Sequence, residues 1–238
     1  MSNSPLVIEN LSIEYSGKNV IKDVNLEVKS GEIFGLMGLN GAGKTTIIKT
    51  ILGLREQDSG SISIFGRDKA SKASKAKLSY LPEKFEPPWF LSGMEFLRFS
   101  LQLYGRKFDE NEMIKTARSL ALDSDVLYHR MNTYSKGMRQ KLGLMSTMLT
   151  GCSLFILDEP MSGLDPFARS MVKKMINDMK HEDRTIFLSS HILADMDEIC
   201  DRVAVLHNAR IMYVGSPQDL KNKVNVDNLE QAFLDFIE

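Results

Sequence analysis

Neither sign of charge dominates this chain of 238 residues: 30 basic side chains stand against 31 acidic ones. A surface so balanced carries no global electrostatic footprint for nucleic acid or for an anionic membrane. Cysteine is scarce. Cys152 and Cys200 lie far apart, in neither C-x-x-C nor His/Cys ligand spacing, and each borders an apolar stretch as a small buried hydrophobe does. That pattern excludes a disulfide scaffold or a zinc site, and a reducing, cytoplasmic setting is expected. Long apolar runs are also missing, the longest being about five residues against the roughly eighteen a transmembrane helix needs. The opening Met1-Ser2-Asn3-Ser4-Pro5 shows neither a basic n-region nor an apolar h-region, so a secretion leader is not expected. The length suits one core with an inserted subdomain.

What is present centres on Gly38-Leu39-Asn40-Gly41-Ala42-Gly43-Lys44-Thr45-Thr46, between an apolar run from Ile33 to Met37 and a helical pattern from Thr46 to Leu54. Strand, glycine loop, helix is the context in which G-x-x-x-x-G-K-T binds phosphate. Without Cβ atoms at Gly38, Gly41 and Gly43 the backbone can curl until successive N–H groups converge, and the helix adds its positive end. Lys44 then supplies a charge for β- and γ-phosphates, Thr45 a hydroxyl for Mg²⁺, and Thr46 sits near the α-phosphate.

Around this loop, Leu6 to Leu11 and Val20 to Val28 read as an antiparallel layer, with Tyr15 before a Ser16-Gly17 turn. Tyr15 is either a structural strand-end residue or a ring free to stack on a base. Lysines recur three apart from Lys69 to Lys77, a solvated face if helical or a contact for lipid head groups. From Ser92 to about Leu149 the period is helical, with stripes Met94, Leu97, Leu101, Tyr104 and Met113, Ile114, Ala117, Leu120, and Asp109 as an N-cap. Leu154 to Asp158 is a continuous apolar run of the kind found in a central parallel strand, and Thr185 to Leu188 is another. Arg202 to Leu206 and Ile211 to Val214 form a hairpin whose connection, His207-Asn208-Ala209-Arg210, suggests a longer turn than a two-residue one. Leu229, Phe233 and Phe236 mark a closing helix that docks on its own core.

Asp158 and Glu159 end a buried strand, at the edge where open α/β sheets bind ligands. If that strand neighbours the phosphate-loop strand, Asp158 can hold Mg²⁺ through water and Glu159 can polarise the attacking water. His191 closes another strand at that edge and could touch the γ-phosphate and orient Glu159.

These residues together resemble the ATP-binding subunit of ABC transporters, and the resemblance covers nearly the whole chain. The phosphate loop matches Walker A, and Leu154 to Asp158 with Glu159 matches Walker B and its catalytic glutamate. More specific are Tyr134-Ser135-Lys136-Gly137-Met138 at the signature position, Ser162-Gly163-Leu164-Asp165 as D-loop, and His191 as switch histidine. The resemblance implies a P-loop NTPase core of mixed, mainly parallel sheet with an N-terminal antiparallel β layer, and a single domain over 1–238 with a helical subdomain inserted at 84–150. It implies ATP and Mg²⁺ as cofactors, with Asn40, Gly41, Ala42, Gly43, Lys44, Thr45 and Thr46 cradling phosphate and Tyr15 stacking adenine. Ser135, Gly137 and Asp165 would complete the site of a second copy, closing a dimer on ATP. Glu159 and His191 are the implied catalytic pair, and Thr45, Asp158 and Glu83 the implied metal set.

Glu83 stands where most of the family has glutamine, and Lys136 where it has glycine. Both look like the branch of drug, ion, peptide or polymer exporters with a separately encoded permease. That implies export driven from the inner face of the cell membrane, with Phe85, Trp89 and Phe90 either meeting the permease or packing in the core. A soluble relative acting on ribosomes or DNA is the rival. Its usual two ATPase halves, coiled coils or zinc cysteines are not in this sequence, and a kinase or GTPase leaves Ser135 to Met138 unexplained.

Overall fold

The computed structural model describes residues 4–180 and 184–237. Period-2 alternation opens the chain as β1 (Leu6–Tyr15) and β2 (Lys18–Val28), followed by β3 (Ile33–Met37) and α1 (Lys44–Ile51). β4 (Ser59–Ile64), β5 (Arg67–Asp68), α2 (Lys72–Lys75) and β6 (Leu78–Leu81) come next. Helices then take over as α3 (Gly93–Leu103), α4 (Glu110–Ser119) and α5 (Lys136–Met148), with two short 3-10 turns before α5. The chain returns through β7 (Leu154–Asp158), α6 (Pro166–Lys180), β8 (Thr185–Ser189), α7 (Leu193–Ile199), β9 (Arg202–His207) and β10 (Arg210–Gly215). α8 (Pro217–Val224) and α9 (Leu229–Ile237) close it.

Two sheets result. β2-β1-β4-β5 is antiparallel, and the second sheet runs β10-β9-β3-β8-β7-β6 with only β10 antiparallel to its neighbour. Strands β3, β7 and β8 are buried at every position because successive side chains point into different cores. Phe34, Leu36, Ile156 and Phe187 face the antiparallel layer and Ile47, Ile48 and Ile51 of α1; Ile33, Met37, Leu157 and Leu188 face the helices. Most of the helical stripes sit as their period requires: Met94, Leu97, Leu101, Met113, Ala117 and Leu120 are buried and Ile114 partly so, whereas Tyr104, just past the end of α3, is 39% exposed; Asp109 caps α4 through its bond from the Asn111 N–H. α9 buries Leu229, Ala232 and Phe233 and turns Phe236 edge-on to Tyr213.

Four expectations change. β7 does not neighbour β3, because β8 lies between them, so Asp158 stands two strand spacings, about 9–10 Å, from the phosphate-loop strand. The lysine repeat is not a helical stripe: α2 has four residues, and Lys69, 4% exposed, is buried against Gln57 and the Arg55 carbonyl. The aromatic run divides. Phe85 packs edge-on to Phe96 at 5.5 Å against the core, whereas Trp89 and Phe90 are 64% and 56% exposed and meet each other.

The β9–β10 turn is the fourth. It is a two-residue connection in which Asn208 and Ala209 both take left-handed φ, 47° and 64°, matching the twist of the strands as Asn-Gly would. Asparagine tolerates that region; alanine carries a Cβ penalty of roughly 1 kcal/mol or more there. Ala209→Gly is therefore expected to raise stability by about 1 kcal/mol, less glycine's extra unfolded-chain entropy, and to raise the urea midpoint. A lowered midpoint would contradict the left-handed turn.

Candidate functional site

Parallel strands deliver their exits to one edge, and the predicted residues converge there. Gly38 leaves β3, Glu83 follows β6, Glu159 follows β7 and His191 follows β8. A cavity of about 290 Å³ is lined by Asn40, Gly41, Gly43, Lys44, Thr45, Thr46, Glu83, Glu159, His191 and Val20. The loop's shape depends on glycine at its last turn. Gly43 has φ 109°, and a Cβ there would come within 2.7 Å of Ile21. No side chain caps α1 behind it, so its first N–H groups remain available to an anion.

Lys44 is buried in the loop, its Nζ donating to the carbonyls of Gly38 at 2.7 Å and Leu39 at 3.3 Å. Burial pulls its ammonium below the ordinary lysine value, opposed by Glu159, Asp158 and Glu83. Asp158 lies beneath, 1% exposed, its Oδ1 accepting from the Ser189 hydroxyl at 2.5 Å. Its Oδ2 is buried with no hydrogen-bond partner among the described residues. Desolvation pushes Asp158 above the usual carboxylate value; Ser189 and Thr45 hydroxyls counter that and Glu83 adds to it. A hard cation suits an oxygen so placed, beside a threonine hydroxyl and a second carboxylate, and the donor set fits magnesium.

Glu159 takes φ 50°, a strained value for a side chain with a Cβ, and its N–H is held by the carbonyl and hydroxyl of Ser189, each at 3.2 Å. The carboxylate so aimed accepts from His191 twice: Oε2 is 2.8 Å from the ring Nδ1 and 3.3 Å from the backbone N–H. His191 and Glu159 are thus hydrogen-bonded, the contact that one of the two roles expected of His191 requires.

The other predicted residues lie apart. Tyr15 is half exposed at the end of β1 and lines none of this cavity. Ala42 borders a neighbouring hollow with Lys18 and Lys22. Ser135 caps α5 by accepting from the Met138 N–H at 3.2 Å, with Gly137 open beside it. Asp165 caps α6, accepting from the Ala168 N–H at 2.8 Å. Sequence reasoning missed Ser189, although it falls in the Ser189-Ser190-His191 strand exit, and Gln140, which is buried and donates to the Pro160 carbonyl at 3.0 Å. Ser189's role needs the β7–β8 register, which no local pattern reports.

The model of the family described as ABC transporter matches residues 21–162 of this chain. The chain belongs to the ABC transporter family. An ABC transporter ATP-binding protein of Synechocystis is 36% identical over 199 residues, which are 82% of this ABC chain and 56% of the Synechocystis protein. A fluoroquinolones export ATP-binding protein of Mycobacterium tuberculosis is 34% identical over 221 residues, 90% of this chain and 71% of that one. The solved structure of an ATP binding subunit of an ABC transporter superposes with a TM-score of 0.91 at 34% identity, covering 99% of this chain and all of the other. The ABC chain thus spans little more than half of one relative and the whole of another's solved chain.

For the ABC chain, Asp158 carries a sign that titration can read. A carboxyl whose folded value is raised stabilises the fold while protonated; that contribution is complete below its unfolded value near 3.8 and is lost as pH rises through the folded one. At neutral pH the ionised, half-bonded group costs about 1–3 kcal/mol. In magnesium-free buffer, Asp158→Asn is expected to melt higher than wild type, by a margin larger at pH 7 than at pH 4. A variant less stable at pH 7 would contradict the orphaned oxygen.

Proposed function

We propose that this chain is the ATP-hydrolysing subunit of an exporter: two copies close on ATP, hydrolyse it, and drive a separately encoded membrane permease. The observation that carries the chemistry is the convergence of Lys44, the unpartnered Asp158 oxygen and the Glu159–His191 pair at one strand edge. Lys44 exchanges its loop carbonyls for β- and γ-phosphate oxygens, the N–H groups of the loop hold the rest, and Thr46 lies by the α-phosphate. Thr45, Asp158 and Glu83 are the residues that would hold magnesium, which when bound would neutralise phosphate charge. Tyr15 stacks on adenine beyond Val20.

Glu159 takes a proton from water as its oxygen attacks the γ-phosphorus, the bond to the β-bridging oxygen breaks, and ADP leaves. His191 keeps the carboxylate turned to that water. From the second copy come Ser135 and Gly137 at the N-terminus of α5, whose dipole favours the γ-phosphate, and Asp165 from the loop before α6. Residues 84–150 form the helical subdomain that carries this helix, and Trp89 and Phe90, exposed on it, offer apolar surface to the permease. No helix among the described residues is long and apolar enough to cross a membrane. In this reading the permease holds the subunit at the inner face of the cell membrane.

Glu159→Gln keeps the shape and removes the base. Its kcat is expected to fall by about two to four orders of magnitude, while ATP accumulates it as a dimer in sedimentation. Isolated from detergent-solubilised cells with ATP, it should bring down a multi-spanning membrane protein. Full turnover would overturn the base assignment, and recovery of ribosomal proteins or DNA in place of a membrane protein would favour the soluble rival.

A further inference from the structure

A residue outside the cup approaches Tyr15 from behind. Arg55, in the loop between α1 and β4, lays its guanidinium carbon 3.7 Å from the centroid of the Tyr15 ring, a full-face stacking distance. Its Nη2 donates to the Glu14 carbonyl at 2.9 Å. Its Nε, by contrast, is buried with no hydrogen-bond partner among the described residues. Hydrogen bonding alone would leave this guanidinium better placed in water, so ring stacking sets its plane.

The loop that carries Arg55 is tied at both ends. The Asp58 N–H donates to the Ser12 carbonyl at 3.0 Å, and Asp58 Oδ2 accepts from the Glu14 N–H at 2.8 Å. The Arg55 N–H reaches the Lys49 carbonyl at 3.2 Å, in the last turn of α1, the helix that starts at the phosphate loop. Buried Lys69 grips the loop from beneath, donating to Gln57 Oε1 at 2.7 Å and the Arg55 carbonyl at 3.3 Å. The one lysine of the repeat that is buried therefore serves this loop.

β1 lies between β2 and β4, so the Arg55 loop reaches Tyr15 from the β4 side, while Val20, on β2, lines the phosphate cavity. One ring face is taken by the guanidinium; the residue is still 52% exposed. We propose that Arg55 is a positioning residue, which backs the Tyr15 ring and fixes the plane in which its free face stacks on the nucleotide base. The cation also polarises the ring toward itself, and the strut through Lys49 couples base seating to the helix that holds the phosphates. This rests on the proposed role of Tyr15.

The test is a double-mutant cycle of wild type, Arg55→Ala, Tyr15→Ala and the double variant, reading KM for ATP, kcat, and affinity for inorganic tripolyphosphate by calorimetry. Arg55→Ala is expected to raise KM about two- to fivefold, with the loss on KM rather than kcat and tripolyphosphate bound as before. With Tyr15 already alanine, removing Arg55 should change KM no further. Arg55→Lys keeps the charge but not the plane and should fall between; it also serves the cycle if the alanine variant does not fold. An unchanged KM, or the same loss with and without Tyr15, overturns the positioning role. If Tyr15→Ala itself binds ATP as wild type does, the base-stacking assignment has failed instead.

Discussion

The Ser189 hydroxyl, donated to Asp158 at 2.5 Å, joins the ends of β8 and β7 at the edge from which the site residues emerge. It does two things at once. By occupying Oδ1 it keeps Asp158 ionisable in a place where burial opposes charge, and it leaves Oδ2 buried with no hydrogen-bond partner among the described residues. The same serine takes the Glu159 N–H on its carbonyl and hydroxyl, holding a left-handed backbone that otherwise costs of order 1 kcal/mol or more. With the backbone so held, the Glu159 carboxylate meets His191 at the wall of the cavity. The orphaned oxygen, the strained φ and the buried Lys44 are stability given up at one edge, and the double-faced sheet beneath supplies the burial that tolerates it.

Much of this was legible because its causes are local. Gly38 to Thr46 announces its own structure: an apolar strand, glycines where a Cβ would clash or φ is positive, then a helix with no capping side chain. Asp109 as a cap, and the stripes from Met94 to Leu120, follow from hydrogen-bonding reach and a 3.6 period. Strand order was not legible. That β8 sits between β3 and β7 depends on crossovers of more than twenty residues, and it decides that Ser189, from the end of the neighbouring strand, bonds Asp158 Oδ1.

The remaining differences have the same origin. Lys69 looks like one of a solvated run until the 55–57 loop, distant in sequence, folds over it and supplies oxygens. Phe85 and Trp89 are indistinguishable by composition. Only the position of Gly143, where a Cβ would come within 2.9 Å of the Phe85 ring, makes room for the first and not the second. Without an Asn-Gly pair the sequence from His207 to Arg210 suggests a longer turn, yet pairing of β9 with β10 and the bond from the Lys22 N–H to the Ala209 carbonyl at 2.7 Å hold Asn208 and Ala209 in a two-residue one.

On the proposed function each cup is half a site, completed by the α5 N-terminus of a second copy. Cys152 and Cys200 are both buried, so cysteines introduced on the surface can be oxidised selectively. Asn40→Cys and Ser135→Cys in one chain, with Glu159→Gln to hold the nucleotide, measure the claim directly. ATP with magnesium is expected to produce a disulfide-linked dimer that joins position 40 of one copy to position 135 of the other, and ADP is not. Equal cross-linking with ADP, or none with ATP, would contradict it.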